Sequence, residues 1–214
     1  MFTGIVEEIG IISGIHHEQD AMKLTVQCEK VLEDVKIGDS IAVNGVCLTV
    51  ASYETNSFTA DLMPETLKST ALHTLYVGSK VNLERAMLAN SRFGGHIVSG
   101  HIDATGKINR INHRGNALYL EIGIAKQWQR YFILKGSVAV DGTSLTVFDV
   151  HEDHFVISLI PTTQMDSILG SKQVGDLVNI ECDMLAKYTE KLLRYENTTT
   201  TNLTAEMLTR NGFL

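Results

Sequence analysis

Asn44-Gly45-Val46-Cys47-Leu48-Thr49-Val50 reads as the turn and returning strand of a β-hairpin. The chain writes it again 97 positions later as Asp141-Gly142-Thr143-Ser144-Leu145-Thr146-Val147. Asn-Gly and Asp-Gly both suit the type I′ turn, whose two central residues need positive φ. Working outward, the same displacement lays Met63-Pro64-Glu65-Thr66 over Ile160-Pro161-Thr162-Thr163. It also lays Val77-Gly78 over Val174-Gly175, and Val81-Asn82-Leu83-Glu84 over Val178-Asn179-Ile180-Glu181. Near the start the displacement is 96, pairing Gly4-Ile5-Val6-Glu7 with Gly100-His101-Ile102-Asp103. Blocks in one order, with only single-residue slips, mean two copies of one domain, since the period is too long for a solenoid unit.

Each copy reads as short strands with frequent turn signals, the pattern of a small barrel or sandwich. Strands are expected at 4–15, 22–28, 40–43, 46–53, 58–63 and 79–85, and again at 100–109, 117–124, 137–140, 143–150, 154–160 and 176–183. Pro64 and Pro161, the only prolines, each follow a strand, where proline at a first helical position starts a short helix. The stretch from Asn90 to Gly95, with two adjacent glycines, reads as a linker. Past Cys182, Leu185, Tyr188, Leu192 and Tyr195 recur at helical spacing, with Lys187, Glu190, Lys191 and Arg194 on other faces. The helix either folds back over a barrel or joins subunits, and a loose joint is expected at 198–201 before a last short helix. The expected domains are 1–96 (with its linker at 89–96), 97–185 and a helical segment, 186–214.

Composition narrows the function. The 214 residues carry a net charge of −7, and no basic tract could neutralise phosphates, which argues against nucleic acid. No stretch approaches the ~20 apolar residues of a membrane span. The start turns acidic at Glu7-Glu8 without a basic leader region, so a cytoplasmic protein is expected. Cys28, Cys47 and Cys182 form no CxxC and read as reduced thiols. The glycosylation-like Asn197-Thr198-Thr199 and Asn202-Leu203-Thr204 are then irrelevant. Neither a phosphate-binding glycine motif nor ligand-spaced Cys/His pairs appear, so no metal or nucleotide site is expected. His96 and His101 are poorly spaced as two ligands on one strand face, and His16, His17, His151 and His154 look loop-like.

What recurs instead is neutral. Cys47 and Thr49 share a strand face, as do Ser144 and Thr146, with Leu48, Val50, Leu145 and Val147 opposite. Ordinary polar-out alternation would give the same pattern, but a second cluster recurs beside it. Thr66 and Thr163 stand two residues after their prolines, where the first helical N–H groups lack partners. Hydroxyls beside free N–H groups suit a flat heterocycle with carbonyls, or a polyol tail. Two similar, mostly neutral ligand sites are expected rather than metal or phosphate sites. His101, standing opposite Ile5, and Asp183, opposite Ala86, break the symmetry.

These blocks, in order and over essentially the whole length, resemble the riboflavin synthase family of the bacterial α-chain type. The resemblance rests on Met1-Phe2-Thr3-Gly4-Ile5-Val6, the Asn44-to-Val50 block and Gly94-Gly95-His96 with Ser99-Gly100-His101. It rests also on the Asp141-to-Thr146 block and Val178-Asn179-Ile180-Glu181. It implies an all-β fold of tandem duplicated six-stranded Greek-key β-barrels followed by a C-terminal α-helix that holds a homotrimer. The implied reaction is exchange of a four-carbon unit between two molecules of 6,7-dimethyl-8-ribityllumazine. It yields riboflavin and 5-amino-6-ribitylaminouracil without metal or organic cofactor. Some bacterial members sit inside a lumazine synthase shell, which the resemblance leaves open here.

By the same resemblance one lumazine meets Gly4, Ile5, Val6, Cys47, Leu48, Thr49, Asp61, Leu62, Met63, Pro64, Glu65 and Thr66, with Phe2 packed alongside. The other meets Gly100, His101, Ile102, Lys135, Ser144, Leu145, Thr146, Ile160, Pro161, Thr162, Thr163, Gln164 and Met165. Cys47, His101, Ser144 and Asp183 are the polar groups expected nearest proton transfer. The family places the reaction where the first barrel of one subunit faces the second barrel of its neighbour. Glu65 suits the family pattern, but its equivalent Thr162, followed by Thr163-Gln164, departs from the Pro-Glu-Thr or Pro-His-Thr wording often seen there, which touches side-chain contacts at the second site. Competing readings are a non-catalytic lumazine or flavin carrier and, more distantly, an FAD-binding module of a reductase. Retention of Ser144 and Thr146 speaks against the carrier, and the lack of a nucleotide domain against the module.

Overall fold

Alternation of apolar and polar residues closes each copy into a barrel. The computed structural model describes residues 1–18, 21–199 and 205–213. In the first copy β1 (Glu8–Glu18), β2 (Ala21–Gln27), β3 (Ser40–Val43), β4 (Val46–Glu54), β5 (Ser57–Leu62) and β6 (Lys80–Arg85) form a closed antiparallel ring in the order β1-β2-β5-β4-β3-β6. In the second, β7 (Ala104–Arg114), β8 (Ala117–Gly123), β9 (Ser137–Val140), β10 (Thr143–Val150), β11 (His154–Leu159) and β12 (Leu177–Cys182) close in the same order. Strands β2 to β5 lie in the spatial order 2-5-4-3, a Greek key. Closure leaves no sheet edge unpaired.

Inward-facing residues fill each ring: Leu24, Ile41, Val50, Phe58 and Leu83 in one, Ile108, Leu120, Val147, Phe155 and Ile180 in the other, all fully buried. Bulges at matching places, Ile12/Gly14 with Ile108/Arg110 and Val50/Ser52 with Val147/Asp149, bend the long strands around the ring. Both hairpin tips are type I′, with φ of 47° and 78° at Asn44 and Gly45 and 43° and 77° at Asp141 and Gly142. Helices α1 (Pro64–Ser69) and α2 (Pro161–Asp166) open on their prolines as the sequence anticipates.

The opening strands differ from expectation. They begin at Glu8 and Ala104 rather than at Gly4 and Gly100, because both glycines adopt positive φ (76° and 84°) and leave the strand path. The loose joint expected at 198–201 also differs: α3 (Met184–Thr199) runs through Thr198 and Thr199, while Thr200 and Thr201 lie outside the described residues. The last short helix is α4 (Ala205–Arg210). Residues Met1–Asp183 form one compact unit and Met184–Leu214 another. No described helix is long and apolar enough to cross a membrane.

Within the first unit the two barrels are stitched at their hairpin tips. A Cβ on Gly45 would lie 2.7 Å from the Gly142 nitrogen, so glycine is what lets the tips touch. Buried Asn82 donates to the Asp141 carbonyl (2.8 Å) and accepts from Ile168 N (2.8 Å). Asn179 reciprocates, donating to the Asn44 carbonyl (2.9 Å) and accepting from Ala71 N (2.6 Å). Each asparagine thus satisfies backbone of the opposite barrel, which burial makes obligatory.

Candidate active site

Two extended arms, residues 1–7 and 97–103, cross between the barrels. Buried Glu84, ending β6, accepts from Thr3 N (2.6 Å), Thr3 Oγ1 (2.7 Å) and Gly4 N (3.0 Å). Glu181, ending β12, accepts from Ser99 N (2.7 Å), Ser99 Oγ (2.7 Å) and Gly100 N (2.9 Å). Burial pushes the Glu84 carboxyl above its ordinary value, and its three donors pull it back only in part. Each arm is therefore anchored on its own barrel and delivered to the other. The Gly4 carbonyl accepts from Ser144 N (2.7 Å), and the Gly100 carbonyl from Cys47 N (2.9 Å).

This crossing regroups the candidate residues. The family resemblance sets Gly4, Ile5 and Val6 beside Cys47, and Gly100, His101 and Ile102 beside Ser144. In the fold Gly4 lies on Ser144 and Gly100 on Cys47, each so close that a Cβ would fall within 2.6 Å of the facing side chain. Ile102 packs with Leu67 against the core of the first barrel. Phe2 is fully buried between the barrels with Ala42, Val98 and Ala139.

The hydroxyl strands present themselves as their alternation requires. Leu48 and Leu145 are buried, while Thr49 and Thr146 are exposed and Cys47 and Ser144 half-buried. Beside Thr49, Leu62 fills the core, Asp61, Met63 and Glu65 are exposed, and Pro64 and Thr66 are half-buried. Beside Thr146, Ile160, Pro161, Thr162 and Met165 are exposed, and Thr163 is half-buried. Gln164, which follows the departing Thr162 and Thr163, donates to the Asn116 carbonyl (3.0 Å) and the Leu159 carbonyl (2.8 Å), tying α2 to its barrel. Its counterpart Leu67 does this by packing instead. Lys135 is exposed and left-handed (φ 64°), where the first copy has Gly38 (φ 93°).

His96, weighed from sequence as a metal ligand and as part of the Gly94-Gly95-His96 block, emerges beside Ser144. Its Nδ1 lies 2.7 Å from Ser144 Oγ, and its buried Nε2 has no hydrogen-bond partner. Burial lowers its pKa below the ordinary histidine value, opposed by the charges of Asp183 and Glu181. Gly95 makes the approach possible, since a Cβ there would meet the Thr3 carbonyl at 2.0 Å and Ser144 Cβ at 2.9 Å. Of the four groups expected near proton transfer, Ser144 touches His96, and the charge of Asp183 acts on it. Cys47 neighbours His101 through Gly100, and the His101 side chain is exposed. Among the described residues no three His, Cys, Asp or Glu side chains are grouped to hold a metal ion. A cavity of about 450 Å³ lies between the first arm, Asp34 to Ile41, the end of β6 and the linker. Of the candidate residues it includes Ile5 alone.

The same surface is built twice, each from one barrel's hydroxyl strand and the other barrel's arm, and the class this defines is a duplicated β-barrel pair. Residues 3–86 and 99–183 each match the family model of the lumazine binding domain. The chain is 52% identical over its whole length to the whole riboflavin synthase of Bacillus subtilis. It is 50% identical over the whole of both chains to that of Actinobacillus pleuropneumoniae. It belongs to the riboflavin synthase family. Among solved structures, LumP complexed with 6,7-dimethyl-8-ribityllumazine matches with a TM-score of 0.77 at 27% identity, covering 85% of this chain and 99% of LumP. LumP complexed with riboflavin matches with a TM-score of 0.79 at 27% identity and the same coverage.

Proposed function

We propose that each barrel holds one lumazine over its hydroxyl strand and under the arm of the other barrel. The chain catalyses the riboflavin synthase reaction, in which two 6,7-dimethyl-8-ribityllumazine molecules exchange a four-carbon unit to give riboflavin and 5-amino-6-ribitylaminouracil. The observation that carries the site reading is the exchange of Gly4 onto Ser144 and Gly100 onto Cys47. One group then comprises Cys47, Thr49, the segment 61–66 and Gly100, His101 and Ile102. The other comprises Ser144, Thr146, Lys135, the segment 160–165 and Gly4, Ile5 and Val6.

The chemistry suits such surfaces. Two identical substrates need the same site twice, and fixing both turns a bimolecular step into an effectively unimolecular one, worth up to about 7–11 kcal/mol. The lumazine methyl is acidic because its anion delocalises into an electron-poor ring. Backbone N–H groups and hydroxyls at a fixed place favour that anion. His96 on Ser144 Oγ supplies a ring nitrogen that can take a proton and pass it on, burial working against the charge gained and Asp183 and Glu181 offsetting that in part. Lumazine and riboflavin are the small-molecule partners. The free thiols fit a cytoplasmic setting. Subunits associate as a homotrimer through α3, where Tyr188 and Leu192 are about two-thirds exposed in the single chain (65% and 66%).

The test is to mix purified protein with 6,7-dimethyl-8-ribityllumazine alone and follow riboflavin with the diaminouracil. Riboflavin should appear at half the rate of lumazine loss. Thr146→Val should keep the fold and slow turnover by about tenfold, the worth of one hydrogen bond to bound substrate. Tight binding without turnover in the wild type would make the chain a carrier. Unchanged turnover in Thr146→Val would move the second site elsewhere.

A further inference from the structure

The two hydroxyl strands match, but the outer faces beside them do not. In the first barrel Thr49 precedes Val50, whose partner is Ala60. The adjoining Asp61 pairs with Lys23 of β2, and the two side chains form an ion pair at 3.8 Å. In the second barrel Thr146 precedes Val147, whose partner is Ile157, and the adjoining Ser158 pairs with Tyr119 of β8. Phe148, two residues beyond Thr146 and likewise exposed, replaces Ala51. Its ring meets Tyr119 edge-on, with centroids 4.9 Å apart at 78°. The Arg114 guanidinium lies over the Tyr119 ring at 5.1 Å. One site therefore ends in a pair of charges and the other in an aromatic shelf that is 48% open at Phe148.

The reaction treats its two substrates just as unequally. One lumazine gains four carbons. Two C–C bonds form at its methyl carbons, a third and benzenoid ring closes, and the product is more extended and more apolar. The other loses those carbons by breaking two C–N bonds and becomes a pyrimidine bearing amino groups. The hydrogens shed by the first molecule's methyl groups end on the nitrogens of the second, so no oxidant enters. An apolar π-surface favours the growing ring, and a carboxylate accepts from the amino groups of the stripped one.

Resting on the site reading above, we infer that Tyr119 and Phe148 make the second barrel the acceptor site, where riboflavin forms. The Lys23–Asp61 row makes the first barrel the donor site. The shelf is a specificity determinant, reading which product each barrel retains.

Binding of riboflavin and of the diaminouracil to the intact protein, by calorimetry or flavin fluorescence, tests this. Tyr119→Ala/Phe148→Ala should weaken riboflavin by about tenfold, the loss of aromatic contacts, and leave the diaminouracil within about twofold. Lys23→Ala/Asp61→Asn should do the reverse, weakening the diaminouracil by about fivefold. Phe148→Leu keeps the bulk of a largely exposed side chain and guards against a folding defect. It should loosen riboflavin by about threefold, and wild-type affinity in that variant would count against the shelf. Riboflavin binding untouched by the aromatic pair, or weakened instead through Lys23 and Asp61, overturns the assignment while leaving the reaction intact. A wild-type chain that binds neither product overturns the assignment together with the site reading beneath it.

Discussion

Lys135 carries the one described left-handed non-glycine φ outside the two hairpin tips (64°). A Cβ in that region costs about 1–2 kcal/mol, and Gly38 avoids the cost at the same turn of the first barrel, where both residues donate their N–H to the following hairpin strand. Local strain of this kind is a pointer to function. Lys135→Gly should therefore stabilise the fold by up to about 1 kcal/mol, glycine's extra unfolded entropy offsetting part of the gain. It should also loosen the second lumazine by about tenfold if the ammonium meets ligand. Thermal unfolding and lumazine titration check both signs, and a variant that gains stability without losing affinity would leave Lys135 outside the site. At this scale the sequence was legible where a residue type repeats, as with Cys47 and Ser144 or Thr49 and Thr146. It was silent on His96 at Ser144, because His96 lies between the blocks of the two copies and only the crossing of the first arm brings the two together. Glu84 and Glu181 were visible as a repeated word, Val-Asn-X-Glu, but nothing in spacing says that a buried carboxylate grips an arm.

The hairpin tips show how two copies of one element diverge under the same constraint. Asn44 Oδ1 accepts from Asn82 N, and Asp141 Oδ1 from Asn179 N, both at 2.8 Å. The amide is neutral, and beneath it Leu75 packs on the first core. The acid is 1% exposed, and Lys172, which replaces Leu75, reaches its Oδ2 at 3.2 Å. Burial still pushes the Asp141 carboxyl above its ordinary value of 3.8, with Lys172 pulling it back. Such a raised folded pKa gives stability that is whole below 3.8 and lost as pH rises through the folded value. Lys172→Leu removes the counter-charge, so it should destabilise by about 3 kcal/mol at neutral pH and by progressively less towards acid. Asp141→Asn/Lys172→Leu recreates the first copy's pairing and should stay within about 1 kcal/mol of wild type with that slope gone. Urea melts across pH decide it, and a double variant as weak as the single one would refute the pairing. Strands, tips and proline-led helices were legible because period-two alternation and turn chemistry are local. The arms were not: the sequence extended the first strands to Gly4 and Gly100, since alternation continues there while the direction of the chain changes.

At the scale of the molecule, two barrels that lend each other arms are one folding unit, and residues Met1–Asp183 are compact by themselves. Both cores, the tip-to-tip asparagines and both arm clamps lie within that span. A chain ending at Asp183 should therefore fold and bind lumazine at both surfaces. Turnover is a different demand, because the two bound rings must also face each other. If the facing pair comes from neighbouring subunits held by α3, the shortened chain retains its sites but loses their juxtaposition. Effective molarity then collapses to the concentration of free protein, and turnover should fall by at least about a hundredfold with lumazine affinity within about twofold. Light scattering should report a smaller species, and raising the protein concentration should recover rate per chain, as an encounter-limited pair requires. A truncated monomer that turns over at the full rate, independent of concentration, would place both lumazines within one chain and leave α3 without a part in catalysis.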